Sequence, residues 1–139
     1  MTAERLLRSF TVGAATGLRT TAGPASAFAA RSGNWNWAFR IAALGELIAD
    51  KLPSTPARTM PLGLAARAIA GGVAGASLAD AAGDRWIAAA CAVSGAMLTA
   101  YAGVAYRRET AKRNMSPFIA ALLEDGAAIA LAWAAVPRR

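Results

Sequence analysis

The sequence predicts an all-α polytopic membrane protein of about five transmembrane helices, forming one domain over residues 1–139. Three observations carry this expectation. Hydrophobic residues fill 56% of the 139 positions, above the ~45–50% usual for soluble domains. From Trp86 to Tyr106 there are 21 residues without a charged side chain, enough for a helix to cross a ~30 Å hydrocarbon core. Short charged runs separate the apolar stretches, as membrane topology requires. Mean hydropathy is only +0.37, because Ala and Gly rather than large aliphatics supply the apolar content. That composition would also suit an alanine-rich soluble bundle. Such a bundle needs a polar face on the 86–106 helix, however, and the stretch offers only Ser94, Thr99 and tyrosine hydroxyls.

The first span, about Ser9 to Ala30, is the least regular. Arg19 lies inside it, and Pro24 lacks a backbone N–H, so a broken helix is expected at Gly23-Pro24. Glu4 to Arg8, the apolar residues after it and the small-residue triplets Ala25-Ser26-Ala27 and Ala27-Phe28-Ala29 have the outline of a cleavable leader. Arg19 and the run Thr20-Thr21-Ala22-Gly23-Pro24 oppose cleavage. The second span runs from Trp35 to Leu52, the third from Leu62 to Leu78, the fourth from Trp86 to Tyr106. The fifth, Pro117 to Val136, is interrupted only by Glu124-Asp125. Gly71, Gly75 and Ala79 form one stripe of small residues, and Gly95, Thr99 and Gly103 another. Such stripes let helix backbones approach closely where lipid supplies no hydrophobic drive.

The loops carry a charge asymmetry. Residues 51–58 and 107–113 are basic and, with Arg5 and Arg8, fall on one side of a five-span chain; the acidic turn Asp80 to Arg85 falls on the other. The expectation is an N-terminus inside and a C-terminus outside, against which Arg138-Arg139 votes. Net charge is +7, but the basic residues sit between apolar stretches, which points to membrane topology rather than to a nucleic-acid partner. Cys91 is the single cysteine and there is no histidine. An intrachain disulfide, a Cys/His metal centre and His-based catalysis are thereby excluded, and no cofactor is expected.

The chain matches itself at an offset of 78 residues. Ile41-Ala42-Ala43-Leu44-Gly45-Glu46 meets Ile119-Ala120-Ala121-Leu122-Leu123-Glu124, and Asn36, Phe28, Thr21 and Gly17 meet Asn114, Tyr106, Thr99 and Gly95. In a five-span chain this relates residues 9–52 to 86–136 as an inverted-topology repeat, with 62–78 as connector. Transporters are often built this way, with the site at the repeat interface, although other assemblies share the symmetry.

The charges inside the spans are the candidate functional residues. A charge at the bilayer centre costs ~2.5–3.5 kcal/mol on insertion scales and normally has a partner or a task. Glu46 and Glu124 are equivalent in the repeat and, with Asp50 and Asp125, form a set of candidate coupling acids. Arg19, Thr16, Thr20 and Thr21 at the broken helix form a candidate anion site, because a helix break exposes N–H groups. Arg40 is a further candidate cation that can also snorkel to the interface. Arg58 and Arg67 read as positive-inside residues or headgroup contacts.

The blocks Gly13-Ala14-Ala15-Thr16-Gly17-Leu18-Arg19-Thr20, Gly45-Glu46-Leu47-Ile48-Ala49-Asp50-Lys51-Leu52-Pro53, Thr55-Pro56-Ala57-Arg58-Thr59 and Ala121-Leu122-Leu123-Glu124-Asp125 resemble a family of small bacterial membrane proteins catalogued as domain of unknown function 4126. The resemblance implies a bacterial inner-membrane location and no particular activity, and it counts against leader cleavage. Two readings follow. One is a small permease for an anion or a lipid phosphate, with proton coupling through the acids as one option. The other is a non-transporting membrane scaffold or lipid-organising protein whose buried charges lock helices together. An enzyme ranks third, because no nucleophile–base set is visible. Membrane lipids are the expected partners, and five short spans bury so little volume that a homodimer is expected too.

Overall fold

The computed structural model describes residues 1–29 and 60–135. Helix α1 spans Ala3–Leu18, α2 Ala22–Ala29, α3 Pro61–Ser77, α4 Arg85–Lys112 and α5 Pro117–Ala135. A single 3-10 turn, Ala82–Asp84, precedes α4. There is no strand among the described residues. The second sequence span, with Arg40, Glu46 and Asp50, lies outside the described residues, as do Asn36 and Arg58.

Each helix begins and ends for a local reason. The Thr2 hydroxyl accepts from the Arg5 N–H at 3.4 Å to cap α1, and Glu4 complements its positive end. Arg19 then leaves the helical region for an extended conformation (φ −138°, ψ 121°). The break therefore falls at Arg19 to Thr21 and not at Gly23-Pro24 as expected. Pro24 is the third residue of α2, in the first turn, where an N–H has no helical acceptor and none is lost. Pro61 opens α3 at its first position and Pro117 opens α5. Helix α4 closes through Asn114 at φ 54°. The Met115 N–H donates to the Thr110 carbonyl and the Asn114 N–H to Ala111, the paired bonds of a left-handed helix stop.

The helices pack through small residues. A Cβ added at Gly13 would run into the Ala92 backbone, at Gly95 into Phe10 and Ala14, and at Gly75 into Ala88 and Ala92. The expected stripes are thus used, on different faces: Gly71 and Gly75 set α3 against α4, while Gly95 and Thr99 set α4 against α1. The core cluster is Val12, Ala27, Ala74, Ala92 and Ala135. Large apolar side chains point the other way: Trp86 (84% exposed), Trp133 (75%), Leu62, Phe118, Ile129 and Leu122 all lie outside. Helix α4 with its preceding turn, and α5, are long and apolar enough to cross a membrane.

The directions of the helices depart from the inverted repeat. The Cys91 thiol contacts the Leu6 carbonyl and the Thr99 hydroxyl donates to the Ala14 carbonyl, both 85 residues apart. A constant offset means that α1 and α4 run parallel. An inverted repeat relating residues 9–52 to 86–136 would set them antiparallel. After the break at Arg19 to Thr21 the chain turns back on α1, so that Gly23 lies against Val12 and Thr16. Helices α3 and α5 both run antiparallel to α4. The ends of the bundle are redistributed accordingly. Arg5 pairs with Asp80 at 2.9 Å and the N-terminal amine with Asp84 at 3.6 Å. Arg5 and the acidic 80–85 turn therefore share one end, and the basic 107–113 segment lies at the other, contrary to the expected grouping.

Candidate functional site: a charged cluster at the helix break

The break puts Arg19 on the side of α1 that faces α5. Its guanidinium reaches Asp125 Oδ1 at 2.6 Å, with both side chains largely buried. One residue earlier on α5, about 100° around the helix, Glu124 turns toward α4. Its carboxylate, with a side chain only 2% exposed, accepts from Arg107 Nε at 2.8 Å. The adjacent acids thus tie α5 to two different elements. Arg107 was expected in a basic loop. Helix α4 continues through it to Lys112, and this carries the guanidinium to the α5 side.

Arg67 is the third cation and was not singled out as a site residue. It is buried, donating from Nε to the Gly17 carbonyl at 3.1 Å and from Nη1 to the Gly63 carbonyl at 3.0 Å. Gly17 is in the last turn of α1, where carbonyls lack helical donors and carry the negative end of the dipole. A guanidinium on α3 therefore completes the C-terminus of α1. The signal was present in the sequence: Arg67 lies within the apolar Leu62–Leu78 span, where a charge normally has a partner.

The threonines divide. Thr16 is fully buried and donates to the Val12 carbonyl of its own helix at 2.8 Å, packed against Gly23 of α2. Thr20 and Thr21 form the turn, and the Thr21 carbonyl starts α2 by accepting from Ala25. Beside Glu124 lies a cavity of about 350 Å³ between α1, α4 and α5, walled by Leu18, Gly103, Tyr106 and Leu123. The Tyr106 hydroxyl is buried there without a hydrogen-bond partner among the described residues. No group of three metal-ligating side chains occurs among the described residues. Among the described residues the chemistry available is charge pairing and hydrogen bonding, with no nucleophile and base in contact.

No family model, curated protein or solved structure matches this chain.

Proposed function

We propose that the chain is a multi-pass membrane protein with a structural, lipid-facing role, in which the cluster at the helix break fastens the doubled-back first segment to the bundle. The observation that carries this reading is that each cation–acid pair of the cluster joins two different elements: Arg19 to Asp125, and Arg107 to Glu124. Arg67 adds a third tie, to the end of α1. The outward Trp, Leu, Ile and Phe side chains over an alanine core support the membrane setting, because lipid solvates large apolar side chains and small ones let helices touch. Depth supports the fastening role as well. Arg107 lies eleven residues past Ala96, the middle of the uncharged stretch, or ~16 Å along the helix axis. That is the edge of a ~30 Å core, where a partly exposed guanidinium reaches headgroups while still holding Glu124. Among the described residues, Arg107, Arg108, Lys112 and Arg113 at one end against Arg5, Arg8 and Arg85 at the other favour a cytoplasmic 107–113 end, with the N-terminus and the 80–85 turn on the opposite face.

The double variant Glu124→Gln with Asp125→Asn tests the role. Unfolding free energy in detergent should fall by roughly 2–4 kcal/mol, and proton flux into reconstituted vesicles should match that of protein-free vesicles for both proteins. A wild type that conducts, and a variant that does not at unchanged stability, would sink the structural reading. That outcome would favour the second one, a small permease, which the cavity beside Glu124 and Tyr106 supports.

A further inference from the structure

At the end of the bundle away from the cluster, α3 and α4 leave a groove of about 540 Å³ between them. Its floor is made of Gly72 and Ala76, and its walls are Ile69, Val73 and Trp86, with Arg85 at the mouth. Ile69 is 68% exposed and Val73 51%, so the walls stand open to the surroundings. From Ile69 to Ala76 the groove runs ~11 Å along α3, from the level of the 80–85 turn toward the middle of the bundle.

The charges at the mouth identify the occupant. Asp80 is taken by Arg5, Asp84 by the N-terminal amine and Glu4 by Arg8. Arg85 has no ion-pair partner among the described residues, so the local acids leave it uncompensated. The first N–H of α4 is already taken, Arg85 donating to the Ala82 carbonyl of the preceding turn, so what the mouth offers is the Arg85 side chain. An indole at 86 beside a cation at 85 is the pairing found at the membrane–water boundary. An apolar channel leading inward from an uncompensated guanidinium matches an acyl chain below a phosphate.

We infer that the α3–α4 groove holds one acyl chain of an anionic diacyl phospholipid, with its phosphate on the Arg85 guanidinium. This rests on the membrane reading above. The test is titration of the purified full chain with phosphatidylglycerol, counting bound lipid by native mass spectrometry and recording thermal unfolding of each variant. Arg85→Gln should weaken the first bound lipid about fivefold, the effect of one basic residue near an anionic headgroup. Ala76→Leu, which fills the floor, should abolish it at unchanged unfolding temperature, while Leu122→Ala on the outer face of α5 should leave it unchanged. Unaltered lipid binding in both groove variants overturns the inference. So does binding of inorganic phosphate alone that competes with the lipid, or a dimer that Ala76→Leu dissociates, since a second copy would then be the occupant. A chain that partitions with membranes but retains no lipid here refutes the groove alone. One that stays in the aqueous phase refutes the membrane reading on which it rests.

Discussion

Glu124 and Arg107 form a pair whose two members have unequal access to water. The Glu124 side chain is 2% exposed and that of Arg107 43%. Glu124→Gln leaves a guanidinium that can turn to solvent or headgroups. Arg107→Ala removes a cation from a carboxylate that cannot follow it out, and a buried charge that loses a close cationic contact is costly. Arg107→Ala should therefore destabilise more than Glu124→Gln, by about 1–2 kcal/mol in detergent unfolding. Equal losses would mean that the pair contributes through its hydrogen bond alone. At this scale the sequence was partly legible. Charges inside apolar stretches marked Arg19, Glu124 and Asp125. Arg107 looked like loop because it follows the uncharged stretch directly, and nothing in a one-dimensional reading shows that the helix continues by two turns. The reach of an arginine side chain also hid which acid it would meet.

Among the helices, glycines separate into those that hold neighbours and those that do not. Gly95 faces the Phe10 carbonyl across the α1–α4 contact, whereas nothing lies within 4 Å of a Cβ at Gly126. Gly95→Ala should cost about 1–3 kcal/mol by forcing the backbones apart. Gly126→Ala should raise stability by ~0.5–1 kcal/mol, because glycine in a helix interior carries an entropic cost. Thermal unfolding of the two variants checks both signs. The extents of α3 and α5 were legible from apolar runs bounded by proline. The break was legible in kind but misplaced, because Pro24 is the most conspicuous breaker in the sequence yet sits where a helix tolerates it. What ends α1 is Arg19 turning toward Asp125, 106 residues away, which no local propensity encodes.

For the molecule as a whole, composition revealed the class and the direction of packing, with small residues inward and large apolar residues outward. The topology was not legible, because counting spans assumes that each apolar stretch crosses once. The 3–29 segment instead turns back on itself, and the N-terminus falls at the same end as the 80–85 turn, while the 107–113 segment keeps the opposite end. In the orientation proposed above, with Cys91 replaced by Ala, a cysteine at position 112 should react with an impermeant maleimide only in inside-out vesicles. A cysteine at position 81 should react only in right-side-out ones. The opposite pattern would invert the orientation.

The parallel pairing of α1 with α4 also bears on synthesis. A helix that docks antiparallel can settle against the next segment to emerge, but the contacts of α1 with Cys91 and Thr99 lie 85 residues away in the chain, and Asp125 meets Arg19 from 106 residues away. The glycine-lined face that α1 fits comes with α4, and the Asp125 carboxylate only with α5. Closure over such separations is entropically costly and slow. The α1–α2 segment is thus made well before the helices whose faces it fits, and its packing against α4 and α5 closes late.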